Sequence, residues 1–218
     1  MSARSLVFIL LAACGAAALT AVAATGRLVP GEVSLARTLQ DAPLGHAIEE
    51  LADGLASKFV EYTLIGLLAV VAILVRRYEL AVAALLVIAG MALNPAIKEL
   101  VQRSRPTEAD VVVREHAAGF GFPSGHVQHA TLAYGYAAAA AARLLTHTAA
   151  AAVIGAATIA VAAVGFNRVY NGAHWPSDVA GGALIGLVLV VVAVRLPEEL
   201  RRRFAARAER GTRTAGGL

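Results

Sequence analysis

One cysteine stands in 218 residues, so no disulfide can form within the chain, and the stapled class of small secreted folds is excluded. Charged residues make up 16% and aromatics 6%, while 58% are hydrophobic. A soluble domain carries roughly 25% charge, so the shortage excludes that class. Acidic residues number 15 against 19 Lys and Arg, a formal net charge of +4. The basic residues form no stripe with interleaved aromatics, which argues against a nucleic-acid surface. No internal repeat and no low-complexity linker divides the chain. What remains is a polytopic membrane protein of one domain.

Long apolar runs are what the chain does have. Six can be drawn, at about 6–25, 59–75, 79–97, 127–145, 149–166 and 178–195. They predict an all-α bundle of six transmembrane helices within a domain spanning 1–197, followed by a basic tail at 198–218. Leu11-Ala12-Ala13-Cys14 resembles a lipoprotein cleavage box, but the apolar run continues to Thr25, so an uncleaved first helix is expected. Small residues such as Ala137–Ala142 and Gly181-Gly182 predict close helix packing. Residues 26–58 read as one or two amphipathic surface helices broken near Pro43. The tail should begin as a basic helix and end in a flexible run from Gly211.

Orientation follows from the cations. With the N-terminus inside, Arg4, Arg76, Arg77, Arg143, Arg195 and six tail arginines face inward, and eight Lys and Arg face outward. At least three of the outer eight belong to the motifs described next. Both termini are therefore expected in the cytoplasm, with the functional loops outside.

Those loops carry three blocks: Lys98-x6-Arg105-Pro106, Pro123-Ser124-Gly125-His126, and Asn167-Arg168-x5-His174-x3-Asp178. Lysine offers a point charge and arginine a planar fork for two phosphate oxygens. Alone, Lys98 and Arg105 are also what an interfacial helix anchor would carry. Ser124 reads either as an ordinary helix cap or as a donor to an anion at a helix N-terminus, with Gly125 beside it. His174 lies just before a helix starting at Pro176, with Asp178 near enough in sequence to hydrogen-bond one imidazole nitrogen and leave the other to attack. Three cations, two histidines and a carboxylate at the ends of apolar segments describe a site that holds a phosphate.

The three blocks resemble the signature of the type-2 phosphatidic acid phosphatase superfamily, which includes membrane lipid phosphatases, glucose-6-phosphatases and vanadium haloperoxidases. The match covers Lys98, Arg105, Pro106, Pro123, Ser124, Gly125, His126, Arg168, His174 and Asp178, and departs at Asn167, where serine is usual. The resemblance implies a metal-free, cofactor-free displacement. His174 attacks phosphorus, Asp178 holds His174, and His126 protonates the leaving oxygen and then activates water. Lys98, Arg105, Ser124, Gly125 and Arg168 bind phosphate oxygens, with Asn167 a possible accessory. No Asp, Glu or Cys cluster with ligand spacing points to a metal, and His116 and His129 read as interfacial or supporting residues.

The expected partners are a lipid phosphate and the bilayer, in a bacterial inner membrane with the site facing the periplasm. Undecaprenyl diphosphate is the favoured substrate by family analogy. The alternatives are phosphatidylglycerol phosphate, phosphatidic acid, a lipid A phosphate, phosphotransfer to another lipid, and a non-catalytic phosphate-binding membrane protein.

Overall fold

The computed structural model describes residues 3–43 and 45–215, and every regular element among them is an α-helix. In chain order these are α1 (Ala3–Ala24), α2 (Glu32–Gln40), α3 (Gly45–Leu55), α4 (Lys58–Leu74), α5 (Tyr78–Met91), α6 (Asn94–Val101), α7 (Gly125–Leu144), α8 (His147–Tyr170) and α9 (Pro176–Ala215). Four stretches are long and apolar enough to cross a bilayer: Leu6–Ala24, Tyr78–Val101, His147–Tyr170 and Pro176–Phe204. A fifth exists if α3 and α4, bent by 48° at a short break, form one span. The two remaining expected segments fall on α4, which is short at 17 residues, and on α7. The first half of α7 is made polar by His126, Gln128, His129 and Thr131.

α7 is the hub, packed against α4, α5, α8 and α9. One apolar cluster joins Ile65 of α4, Val87 and Met91 of α5, Leu132 and Tyr136 of α7, and Val190 of α9. Small residues permit this closeness, as anticipated. A Cβ on Gly182 would meet the Ser124 carbonyl oxygen at 2.6 Å, and one on Gly181 would meet the Phe122 ring at 2.3 Å. The glycine pair thus seats the Pro-Ser-Gly-His turn directly on α9.

The third expected segment, drawn as one helix over 79–97, is broken between α5 and α6 at Ala92-Leu93. Pro95 has no N–H, so the Met91 carbonyl four residues earlier loses its helical donor. His129 Nε2 lies 3.1 Å from that oxygen, and Gln128 Nε2 donates to Gly90 O at 3.2 Å. Asn94 Nδ2 donates to Gln128 Oε1 at 2.9 Å. A break in lipid is tolerated where a neighbouring helix supplies the missing partners, and α7 does so here. α6 continues the same span and carries Lys98 in its last turn, next to the loop.

α2 and α3 lie where the amphipathic segment was drawn, on either side of Pro43. The tail departs from expectation. α9 passes through Pro197 and stays helical to Ala215, past the expected flexible start at Gly211. Its Ala- and Arg-rich sequence has high helix propensity, and Arg203 Nε pairs with Glu199 at 2.8 Å one turn away. Residues 216–218 lie outside the described residues.

Candidate active site

The 102–124 loop, the 171–175 turn, α2 and α3 gather at one end of the bundle. Gly172 makes the second turn possible: its φ is +66°, and a Cβ there would strike the Val112 carbonyl oxygen at 2.3 Å. The turn places His174 ahead of α9, which starts at Pro176 as expected. A cavity of about 170 Å³ opens at this end, lined by Lys98, Arg105, Gly125, His126 and His174, with Lys58, Glu115 and His129 completing its polar wall. A larger groove of about 950 Å³ runs between α1, α7, α8 and α9, is chiefly apolar, and contains none of the motif residues.

Arg105 is braced by carbonyls. Its Nε donates to Gly119 O at 3.0 Å, Nη2 to Ala118 O at 3.1 Å and Nη1 to Ala173 O at 2.6 Å. Nη1 also stands 3.1 Å from His174 Nε2. A guanidinium can only donate, so Nε2 is the acceptor, and the proton of the neutral ring sits on Nδ1. The unprotonated nitrogen therefore faces the cation that would hold a phosphate. Lys98 Nζ donates to Phe120 O at 2.6 Å on the same rim.

Burial pushes the His174 pKa down to about 4; Asp178 pulls it upward, and Arg105 and Lys98 push it further down. At neutral pH the imidazole is uncharged, and its Nε2 lone pair is engaged only by the Arg105 N–H.

Asp178 stands beside His174, its Oδ2 3.6 Å from His174 Nδ1, and that nitrogen has no closer polar partner. The carboxylate is itself held: Trp175 N–H donates to Oδ2 at 3.0 Å, and Arg103 Nη1 donates to Oδ1 at 2.6 Å. Arg103, only 2% exposed, also donates through Nη2 to Glu32 Oε2 at 2.8 Å. The other Glu32 oxygen accepts from the Ser177 backbone N–H at 2.9 Å and from the Ser177 hydroxyl. Asp178 thus belongs to a buried network with Arg103, Glu32 and Ser177, and acts on His174 through charge across a short gap.

Arg168 is buried, and its guanidinium is paired with two carboxylates. Nη2 donates to Asp53 Oδ1 at 2.5 Å, and Nη1 donates to Glu115 Oε2 at 2.9 Å. Asn167 Nδ2 donates to the same Asp53 oxygen at 2.8 Å. Asparagine is longer than the serine usual at this position and reaches α3. Ser124 is fully buried with its hydroxyl unpartnered, and its N–H donates to Asp178 O at 3.0 Å. α7 contributes Gly125, His126 and His129 to the cavity wall.

His126 is exposed to the cavity. His129, one turn along α7, adds to the wall while its Nε2 bridges the α5–α6 break. His116 is exposed and lies 3.5 Å from Glu108. Among the described residues no three His, Cys, Asp or Glu side chains converge as metal ligands. Sequence reading missed Arg103, Glu32, Asp53, Glu115 and Lys58. Only Arg103 carried a local signal, as a second arginine beside Arg105 in the same loop.

The PAP2 superfamily model matches residues 79–202. Phosphatidylglycerophosphatase B of Bacillus subtilis (strain 168) is 37% identical over 114 residues, 50% of this chain and 54% of that relative. The chain thus spans about half the length of the curated relative it matches. The crystal structure of a transmembrane PAP2-type phosphatidylglycerolphosphate phosphatase from Bacillus subtilis superposes with a TM-score of 0.63 at 24% identity, covering 89% of this chain and 94% of that one. That of Aquifex aeolicus LpxE gives 0.59 at 21% identity, covering 75% and 94%. Both likenesses are of fold.

Proposed function

The chain belongs to the PAP2 superfamily, and from that premise we propose that it is an integral-membrane lipid phosphatase working through a phosphohistidine on His174. One observation carries the reading: the unprotonated Nε2 of a buried His174 faces Arg105 at 3.1 Å inside a cavity that Lys98 and His126 share. The phosphate of a substrate would slip between Arg105 and His174, taking the arginine's donors and leaving Nε2 aimed at phosphorus.

Nε2 then forms the N–P bond as the P–O bond to the lipid breaks, and its electron pair stays on the leaving oxygen. His126, at the open side and in its charged imidazolium form, gives that oxygen a proton and becomes neutral. It next removes a proton from the water that attacks the phosphohistidine, releasing phosphate and restoring both rings. Lys98 and Arg105 hold the developing charge in place before it forms, which is the chief source of such catalysis. Asp178 stabilises the positive charge that His174 gains on phosphorylation.

The same reading takes the chain as a six-pass protein of a bacterial cell membrane. Both termini face the cytoplasm and the site faces outward, as the excess of arginine at the opposite end supports. Phosphatidylglycerol phosphate is the first substrate to test, because the 37%-identical relative is a phosphatidylglycerophosphatase. Undecaprenyl diphosphate, phosphatidic acid and a lipid A phosphate follow.

The test is phosphate release by purified protein in detergent, with each lipid, in the presence of a chelator. The expected result is release that survives chelation and disappears in His174→Ala. Transfer of the label to another lipid instead of water would make the protein a phosphotransferase. Lipid binding without turnover in the folded wild type would make it a binder.

A further inference from the structure

The cavity holds a cation that the motif blocks do not supply. Lys58, the first residue of α4, lines it together with His126, His174, Lys98 and Arg105. It lies outside the 79–202 stretch that the family model matches. Unlike Arg103 and Arg168, each held by two carboxylates, Lys58 is exposed and makes no hydrogen bond or ion pair among the described residues. Its position carries a cost, since the first turn of a helix is the positive end of the dipole and disfavours a cation.

The polar groups of the cavity are ordered by depth. His174 is buried, Lys98 and Arg105 are half-buried, and His126 and Lys58 are exposed at the mouth. His126 and Lys58 are thus the exposed cationic or titratable groups of the cavity that holds His174, while its one carboxylate, Glu115, is paired with Arg168. Beyond Lys58, α4 turns apolar and outward-facing, with Phe59 79% exposed and Tyr62 42% exposed. That surface suits a lipid tail. The cavity, at about 170 Å³, has room for several waters at ~30 Å³ each, more than a single tetrahedral group fills.

We propose that Lys58 is a subsite for a second phosphate anion on the leaving-group side of the scissile bond. It would select lipids that carry two phosphates: a diphosphate, or a phosphodiester that bears a terminal phosphomonoester. The assignment rests on the phosphatase reading above. In a diphosphate, the electron pair of the broken P–O bond stays on an oxygen of the second phosphate, and the Lys58 ammonium neutralises that charge as His126 delivers the proton. In a phosphodiester lipid, Lys58 binds a standing charge and holds the leaving group in line.

The experiment compares wild type, Lys58→Ala and Lys58→Arg on undecaprenyl diphosphate, phosphatidylglycerol phosphate and phosphatidic acid. Size-exclusion profiles check folding. The readout is the ratio of kcat/KM on each two-phosphate lipid to that on phosphatidic acid. The expected result is a fall in that ratio of about tenfold in Lys58→Ala, the weight of one charge-assisted hydrogen bond, largely restored in Lys58→Arg. A fall on the diphosphate alone or on the phosphodiester alone identifies which second phosphate the subsite takes. An unchanged ratio, or an equal loss on all three lipids, overturns the proposal.

A second arm does not need turnover. Protection against thermal unfolding by inorganic diphosphate should exceed that by inorganic phosphate in the wild type and in His174→Ala, and the difference should vanish on adding Lys58→Ala. A difference that persists overturns the subsite. Absence of turnover in the wild type counts against the phosphatase reading alone, and the inorganic probes then decide the role of Lys58.

Discussion

Arg103 Nη1 donates to Asp178 Oδ1 at 2.6 Å, while the other oxygen of that carboxylate stops 3.6 Å short of the His174 ring. The carboxylate beside the nucleophile is therefore set in place by an arginine that is itself locked to Glu32 on α2. An amphipathic helix outside the family-matched stretch is in this way tied to the reacting imidazole.

Removing that arginine should be severe. Arg103→Met leaves Glu32 and Asp178 buried without their cation, and breaking a buried pair costs about 3–5 kcal/mol. The expected result is a clear fall in Tm in detergent together with loss of most phosphate release. Arg103→Lys should recover part of the Tm. A Tm within error of wild type for Arg103→Met would mean that the network does not hold the site.

The His174 pKa gives a signed expectation. The folded value of about 4 lies below the ordinary 6.5, so the ring stays neutral and nucleophilic until the pH falls through that lower value. A lipid phosphate titrates near pH 6 on its own account, so the direct reading is NMR of ring-labelled histidine in wild type and His174→Gln. The resonance missing from the variant should titrate near 4. Removing the Arg105 cation in Arg105→Gln should move its midpoint upward. A wild-type midpoint at 6.5 would contradict the buried, cation-flanked placement.

Asp53 and Glu115 occupy the Arg168 donors that a phosphate would otherwise use. Their side chains are 54% and 38% exposed, and the guanidinium is 3% exposed. Such half-exposed pairs are worth ~1 kcal/mol or less each. Asp53→Asn with Glu115→Gln should therefore tighten binding of inorganic phosphate by up to about fivefold, measured by titration calorimetry. Weaker binding would mean that the carboxylates hold Arg168 in its working position instead of competing for it.

Gly182 should tolerate nothing larger. Its Cβ would meet backbone oxygen on the turn that presents His126, and overpacking costs about 1–3 kcal/mol. Gly182→Ala is expected to lower Tm and phosphate release together. Gly155, where a Cβ meets nothing within 4 Å, should accept alanine with Tm unchanged. Equal behaviour of the two variants would refute the close packing of α7 on α9.

The motif residues were legible because their chemistry recurs at fixed short spacing, and the helices because their apolar runs are long. The partners were not legible. Glu32 meets Arg103 across 71 positions, and Asp53 meets Arg168 across 115, with no local pattern linking them. The spacing of Asp178 and His174 placed the two side by side, but nothing local told of Arg103, 75 positions away, which holds the carboxylate. The broken third segment was foreshadowed by Pro95, but the polar side chains on α7 that make the break tolerable belong to another helix.

The central claim is that His174 becomes phosphorylated. The most direct measurement is rapid quench of His126→Ala with a lipid labelled in its terminal phosphate, followed by peptide mapping under alkaline conditions that preserve phosphohistidine. With the water-activating ring gone, the phosphoryl group should accumulate on His174, and no label should appear in the His126→Ala, His174→Ala double variant. Phosphate release by the wild type at full rate, with no label on His174 at any quench time in either protein, would contradict the account.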